Sequence, residues 1–241
     1  MKDKNINILI NDSLNYKIPV ESALNIFEQN KYAEIFKDDN RSLVAVFYFE
    51  GRKLVIKVPR EKNRRKWIRF LTLFRKSEAV RNFYELKSVL DNNIITAVPV
   101  AAIEKRRSAM LIESFLIYEY LDGKEVEESG YNNVVAKLRE IHLMGNVHGD
   151  SQIRNFLVCG DAIGIIDARF SKKRFGAFSD SYEMWYLRKS ADGIGKYMED
   201  DTKKISFKLV DVIFSVFRIY KNSKKRIIKK LKSGKGTYVK K

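Results

Sequence analysis

The sequence predicts an α+β chain of two lobes, the first rich in β-strand and the second mainly helical. Three observations carry that expectation. Two pairs of apolar runs, each broken by a turn, fill residues up to about 120. Helical periodicity dominates from about residue 132 onward. Between them stands an acidic, glycine-containing stretch, Asp122-Gly123, of the composition expected of a hinge.

The first pair is "RSLVAVFYFEGRKLVIKVP", two strands joined by a tight turn at Glu50-Gly51-Arg52, with Pro59 ending the second. In "SEAVRNFYELKSVLDNN", Val80, Phe83, Leu86 and Leu90 recur at three- and four-residue spacing, which makes an amphipathic helix closed by the Asn pair. A second strand pair follows in "AVPVAAIEKRRSAMLIESFLIYEYLDG", folded about its charged middle, so the first lobe reads as a sheet with one helix. Beyond the hinge, "NNVVAKLREIHLMG" sets Val135, Leu138, Ile141 and His142 near one face, and Gly145 ends the helix. "NFLVCGDAIGIIDA" reads as two short strands about Gly160-Asp161, and 180–200 and 202–233 as helices. The boundaries are a first lobe over 1–120, a second over 121–220 and a basic tail over 221–241.

The formal charge is +17, concentrated in residues 59–76 and in the tail, which has no acidic residue. Such a field attracts polyanions: nucleic acid, anionic headgroups or a phosphorylated substrate. Trp67, Ile68, Phe70, Leu71 and Phe74 alternate with Arg64, Arg65, Lys66, Arg69 and Arg75, as in a helix lying on an anionic bilayer or one packed on the lobe. The N-terminus lacks the charged start, apolar stretch and cleavage site of a secretion signal, which predicts a cytoplasmic protein. A lone cysteine, Cys159, forms no internal disulfide and reads as packing.

The chemistry concentrates in "HGDSQIRNFLV" and "GIIDARF". Asp150 lies in a short loop between helix and strand, Asn155 five residues on and Asp167 twelve further. Phosphoryl transfer needs a group to position the attacking hydroxyl and hard oxygen ligands for magnesium on the nucleotide phosphates. An Asp, an Asn and a second Asp supply that set. Lys57, with apolar neighbours on both sides, reads as a buried lysine with a purpose, whereas His142 reads as structural.

These residues carry a resemblance. "HGDSQIRN" followed by "IIDA" is similar to the catalytic loop and metal-binding segment of the protein-kinase-like superfamily. His-Gly-Asp in place of His-Arg-Asp looks like the branch that phosphorylates small molecules and sugars. With "LVIKVP", "LIYEYLDG" and "LREIHLMGNVHGD", the segment from about 40 to 200 most resembles the lipopolysaccharide core heptose kinases. The resemblance implies a two-lobed protein-kinase-like fold, with a nucleotide-binding first lobe and a catalytic second one. It implies ATP as donor and Mg²⁺ as cofactor, with Asp150 orienting the acceptor hydroxyl, Asn155 and Asp167 holding the metal, and Lys57 on the nucleotide phosphates. Glu85, in preference to Glu78, would pair with Lys57. Glu119, Tyr120 and Leu121 would face adenine, and His148 would brace the loop.

The acceptor it implies is an anionic glycolipid, the lipopolysaccharide core, with peripheral contact at the inner face of the cytoplasmic membrane and no role for nucleic acid. Departures are plain: "FKDDNRS" stands where a glycine-rich loop would be, Gln152 follows Asp150 at two residues, and Ala168-Arg169 replaces Phe-Gly. They leave two rival readings, a kinase for another sugar, small molecule or protein, and a non-catalytic module that binds membrane or nucleic acid.

Overall fold

A computed structural model describes residues 5–233. The chain divides into two compact units: 1–127 with 148–150 and 154–171, and 128–147 with 151–153 and 172–241. The first unit thus takes in chain well beyond the hinge read near residue 120.

In the first unit, β1 (Asn5–Ile10), β2 (Glu34–Asp38), β3 (Leu43–Phe49), β4 (Arg52–Val58), β5 (Pro99–Arg107) and β6 (Met110–Glu119) form one sheet in the order β1-β5-β6-β4-β3-β2. Every pairing in it is antiparallel. The hairpin of β3 and β4 turns at Glu50 and Gly51, both at positive φ (49° and 75°), the pattern of a two-residue turn whose twist suits the strands. Strand alternation then sorts the side chains onto two faces. Leu54, Ile56 and Val58 of β4 join Phe115 and Ile117 of β6 in the main core, covered by α1 (Val20–Glu28), whose Phe27 ring stacks 4.8 Å from Phe115. Leu116 and Ala102 face the other way, against Ala79, Phe83 and Leu86 of α4 (Glu78–Asp91). Lys57, one residue out of step with Ile56 and paired in register with Leu116, falls on this second face.

The sequence reading of one helix in this lobe needs correction, because α1, α2 (Arg60–Arg64) and α3 (Lys66–Leu71) accompany α4. Helix α3 rests on β6, with Ile68, Arg69 and Leu71 half-buried and Arg69 Nε donating to Leu111 O at 2.6 Å, while Trp67, Phe70 and the nearby Phe74 are exposed. A small sheet of β7 (Lys124–Glu125), β9 (Phe156–Cys159) and β10 (Ala162–Ile165) completes the unit. It is tied to the chain entering β5, where Ile165 donates its N–H to Ile95 O at 2.9 Å and Thr96 Oγ1 donates to Ile165 O at 2.7 Å.

The second unit holds β8 (Asn146–Val147), α5 (Tyr131–Leu143), α6 (Ala177–Ser190), α7 (Glu199–Lys203) and α8 (Ile205–Ser233), while the two-residue β11 (Ser171–Lys172) lies at the division. Val134, Val135, Leu138 and Ile141 of α5 are buried, and His142 sits 3.0 Å from the buried Glu183 carboxylate, a core histidine as its face position suggests. Arg139 of α5 pairs with Asp201 of α7 at 2.7 Å. Helix α8 runs through residue 221, where the sequence reading starts a basic tail, and the end of that tail, 234–241, lies outside the described residues. Among the described residues no helix is long and apolar enough to cross a membrane.

Candidate active site

A cavity of about 520 Å³ opens within the first unit, and Lys57, Asp150 and Asp167 all line it. Each arrives by a different local device. Strand alternation delivers Lys57, whose ammonium makes a direct ion pair with Asp167 Oδ1. Asp167 lies two residues past the end of β10, so the 2.9 Å bond from Ile166 N to Asn155 O and the bonds of Ile165 fix where it emerges. It sits at a φ of 54°, a left-handed conformation that Asp tolerates better than most residues and that is commonest at functional turns.

Burial works against the Lys57 charge, and the Asp167 carboxylate outweighs it, so the amine is held above its ordinary value. For Asp167, burial favours the neutral acid, but the Lys57 charge and hydrogen bond prevail and the carboxyl is held below the usual range. Both groups are therefore charged at neutral pH. The neighbouring Tyr118 phenol is pushed up to about 12 by burial, with Lys57 pulling the other way, and stays protonated.

The loop of Asp150 is braced from three sides. Asp150 N donates to His148 Nδ1 at 3.3 Å, and Arg169 N donates to His148 O at 2.8 Å, while His148 itself is fully buried. Asn155 Nδ2 donates to Asp150 O at 2.8 Å. Gly149 explains why this loop reads His-Gly-Asp: its φ is 84°, and a Cβ would lie 2.7 Å from Arg169 Cβ and 2.9 Å from Arg169 O. Any side chain at 149 would displace Arg169, two residues beyond Asp167.

The glutamates lie close by but make their ion pairs elsewhere. Glu78 and Glu85 line the cavity, yet Glu78 is paired with Lys62 and Arg81, and Glu85 with Arg81 at 3.4 Å. The helix partner expected for Lys57 is thus replaced in direct contact by Asp167. Burial and the neighbouring Glu78 push the Glu85 carboxyl up, with Arg81 opposing. At the hinge, Tyr120, Leu121 and Gly123 line the cavity. Glu119 instead turns to Tyr16, whose hydroxyl donates to Glu119 Oε1 at 2.9 Å, and its own N–H is used by Val98 O. The N–H of Tyr120 is likewise taken by Lys53 O at 3.0 Å.

In place of a glycine-rich loop, the turn between β2 and β3 is capped by a side chain: Asp39 Oδ1 accepts from Arg41 N and Ser42 N, each at 2.8 Å. Those bonds hold the Asp39 carboxyl below its ordinary value. The turn brings Phe36, Lys37 and Ser42 to the cavity wall. Sequence reasoning passed over Lys37 and Tyr118. The available signals were the turn-forming Asp-Asn-Arg-Ser run beside Lys37 and the strand register that aligns Tyr118 with Val55.

Among the described residues no group of three or more His, Cys, Asp or Glu side chains could hold a metal by itself. Asp167 and Asp150 offer carboxylate oxygens to the cavity, whereas Asn155 is buried behind Asp150 and does not line it; a hard cation here would take most of its ligands from phosphate and water.

The sequence matches no protein-family model and no curated protein. Solved structures do match, among them WaaP in complex with acyl carrier protein, with a TM-score of 0.54, 14% identity, and coverage of 91% of this chain and 98% of that one. The fold is similar to that of WaaP. The antiparallel sheet and the helices agree with the α+β class read from the sequence. A fold hosts many chemistries, so substrate and mechanism rest on the side chains described above.

Proposed function

We propose that this chain is an ATP-dependent phosphotransferase that phosphorylates a heptose hydroxyl of the lipopolysaccharide inner core. The observation that carries the reading is the Lys57–Asp167 ion pair inside a cavity that Asp150 also lines. It is supported by the fold, similar to that of WaaP, and by the resemblance of the HGD loop and its flanking segments to the lipopolysaccharide core heptose kinases. In this reading residues 1–120 serve mainly the nucleotide and 121–220 the acceptor.

The residues divide the work by their chemistry. Lys57 and Lys37 would neutralise nucleotide phosphates, Asp167 would hold the metal, Asn155 would steady the Asp150 loop from behind, and Tyr120 and Leu121 would border the base. Mg²⁺, when bound, supplies charge neutralisation on the transferring phosphoryl group. Asp150 would hold the acceptor hydroxyl in line and take its proton as the new P–O bond forms and the bond to ADP breaks. Catalysis on this plan is positioning plus electrostatics. An anionic acceptor fits the chain's excess of cations, since each basic residue near a charged surface contributes about 1 kcal/mol. Peripheral work at the inner face of the cytoplasmic membrane follows from the same charge.

The test presents purified protein with labelled ATP, Mg²⁺ and dephosphorylated core glycolipid, beside a protein and an aminoglycoside acceptor. Label in the glycolipid alone is expected. Label in another acceptor would replace the substrate, and no transfer together with no Mg²⁺-dependent ATP binding would replace the enzyme by a non-catalytic module. A carrier-protein complex like that of WaaP is a second reading, checked by co-purification.

A further inference from the structure

Among the described residues, helix α8 packs on the second unit mainly along one face. Phe207 and Val210 are buried, the Phe214 ring lies 4.9 Å from Tyr182 and 5.0 Å from Trp185 of α6, and Trp185 Nε1 donates to Asp211 Oδ1 at 2.7 Å. The opposite face carries a second apolar stripe that is left exposed among the described residues. Ile205, Leu209, Val212, Val216 and Ile219 recur at helical spacing, with Ile213, Phe217 and Tyr220 beside them, and all eight are exposed. From Val216 to Lys221 every residue is exposed, Val216, Phe217, Ile219 and Tyr220 by 60% or more. A helix end without packing is marginal in water, so this one needs a partner to gain stability.

Charge selects the partner. Lys208, Arg218, Lys221 and Lys224 are exposed along the helix, and Asp211, the only acidic residue from 205 to 241, is engaged by Trp185. A second copy of the helix would set cations against cations, whereas an anionic plane complements them all along the stripe's length of about 24 Å. The stripe is also a ridge. Side chains that stand this far into solvent need no matching groove when they enter the headgroup boundary of a bilayer.

We infer that the outward stripe of α8, from Ile205 to Tyr220, is an in-plane docking surface for an anionic phospholipid bilayer, with Lys208 and Lys224 at its flanks meeting the lipid phosphates and Arg218 and Lys221 adding to the field that draws the helix there. This surface stands independently of the phosphotransfer reading, and its test needs no turnover.

The experiment is co-sedimentation of the full chain with phosphatidylcholine vesicles, with and without phosphatidylglycerol, at low and physiological salt. Wild type binds the anionic vesicles and leaves the neutral ones largely free. The combined change Val216→Gln, Phe217→Gln and Ile219→Gln lowers anionic-vesicle binding by about tenfold or more at an unchanged melting temperature, and Lys221→Gln with Lys224→Gln lowers it with a weaker salt dependence. Should the triple variant unfold, the lysine pair and a depth-sensitive spin label at Ser223→Cys in a Cys159→Ser background decide the question, immersion being the expected result. Several outcomes overturn the inference: equal binding of wild type and variants, a spin label left in water, dimers in ultracentrifugation that the triple variant abolishes, or capture of an acidic protein without capture of vesicles.

Discussion

The Lys57 ammonium and the Asp167 carboxylate meet directly although 110 residues separate them in the chain. Each is the other's main reason for being charged, and neither can be altered without exposing its partner. Lys57→Met should therefore weaken Mg²⁺-ATP binding by about tenfold or more and cut turnover by at least about a hundredfold, since it removes a cation from the phosphates and leaves Asp167 uncompensated. Asp167→Asn should abolish metal dependence first. Calorimetric titration with nucleotide, with and without Mg²⁺, checks both.

The same pair fixes a pH window. The Asp167 carboxyl is held below its unfolded value of 3.8, so its contribution is present above that pH and fades as pH falls further. Lys57 is held above 10.5, so its contribution is complete below that pH and is lost as pH rises beyond it. The stability difference between wild type and Asp167→Asn should stay level between about pH 5 and about pH 9 and shrink in acid. With Asp167 more than half exposed, the plateau should be about 1 kcal/mol or less. Urea midpoints across that range give the answer.

Asp150→Asn keeps the size of the side chain and removes its capacity to accept a proton. Phosphate transfer to the acceptor should be lost while the nucleotide Kd changes by less than about threefold. Full turnover by this variant with purified acceptor would sink the assigned role.

Gly149→Ala asks the backbone to hold a positive φ with a methyl group against Arg169. The strain and the displacement should cost about 2 to 4 kcal/mol in urea unfolding and lower turnover beyond that loss, because the segment of Asp167 and Arg169 is bonded to the loop of Asp150 and shifts with it.

Phe115 lies fully buried under α1 with its ring on Phe27. Phe115→Ala should cost about 3 to 5 kcal/mol, measurable as a lowered urea midpoint with unchanged slope.

Much of this was legible before any coordinates. The β3–β4 hairpin, α4, the β5–β6 pair and α5 announce themselves because each buries one face, and burial is what writes period into a sequence. The elements passed over show the converse. Every residue of β2 is exposed, and it lies at the edge of the sheet, so "EIFKD" carries no alternation to read. β1 occupies the opposite edge, with its first three residues exposed. The spacing of Asp150, Asn155 and Asp167 could be read because short local elements set it. That Lys57 meets Asp167 and not Glu85 could not, because it depends on where Arg81 draws the helix carboxylates, a matter of three dimensions.

The Asp39 turn has a consequence for how a ligand would be received. A roof of glycines is loose until something lies beneath it, and the guest meets the entropy of quieting it. Here the quieting is done during folding, by one carboxylate gripping two amides. The chamber stands ready-shaped, and what it gains in preparedness it gives up in the freedom to mould itself around a differently sized visitor.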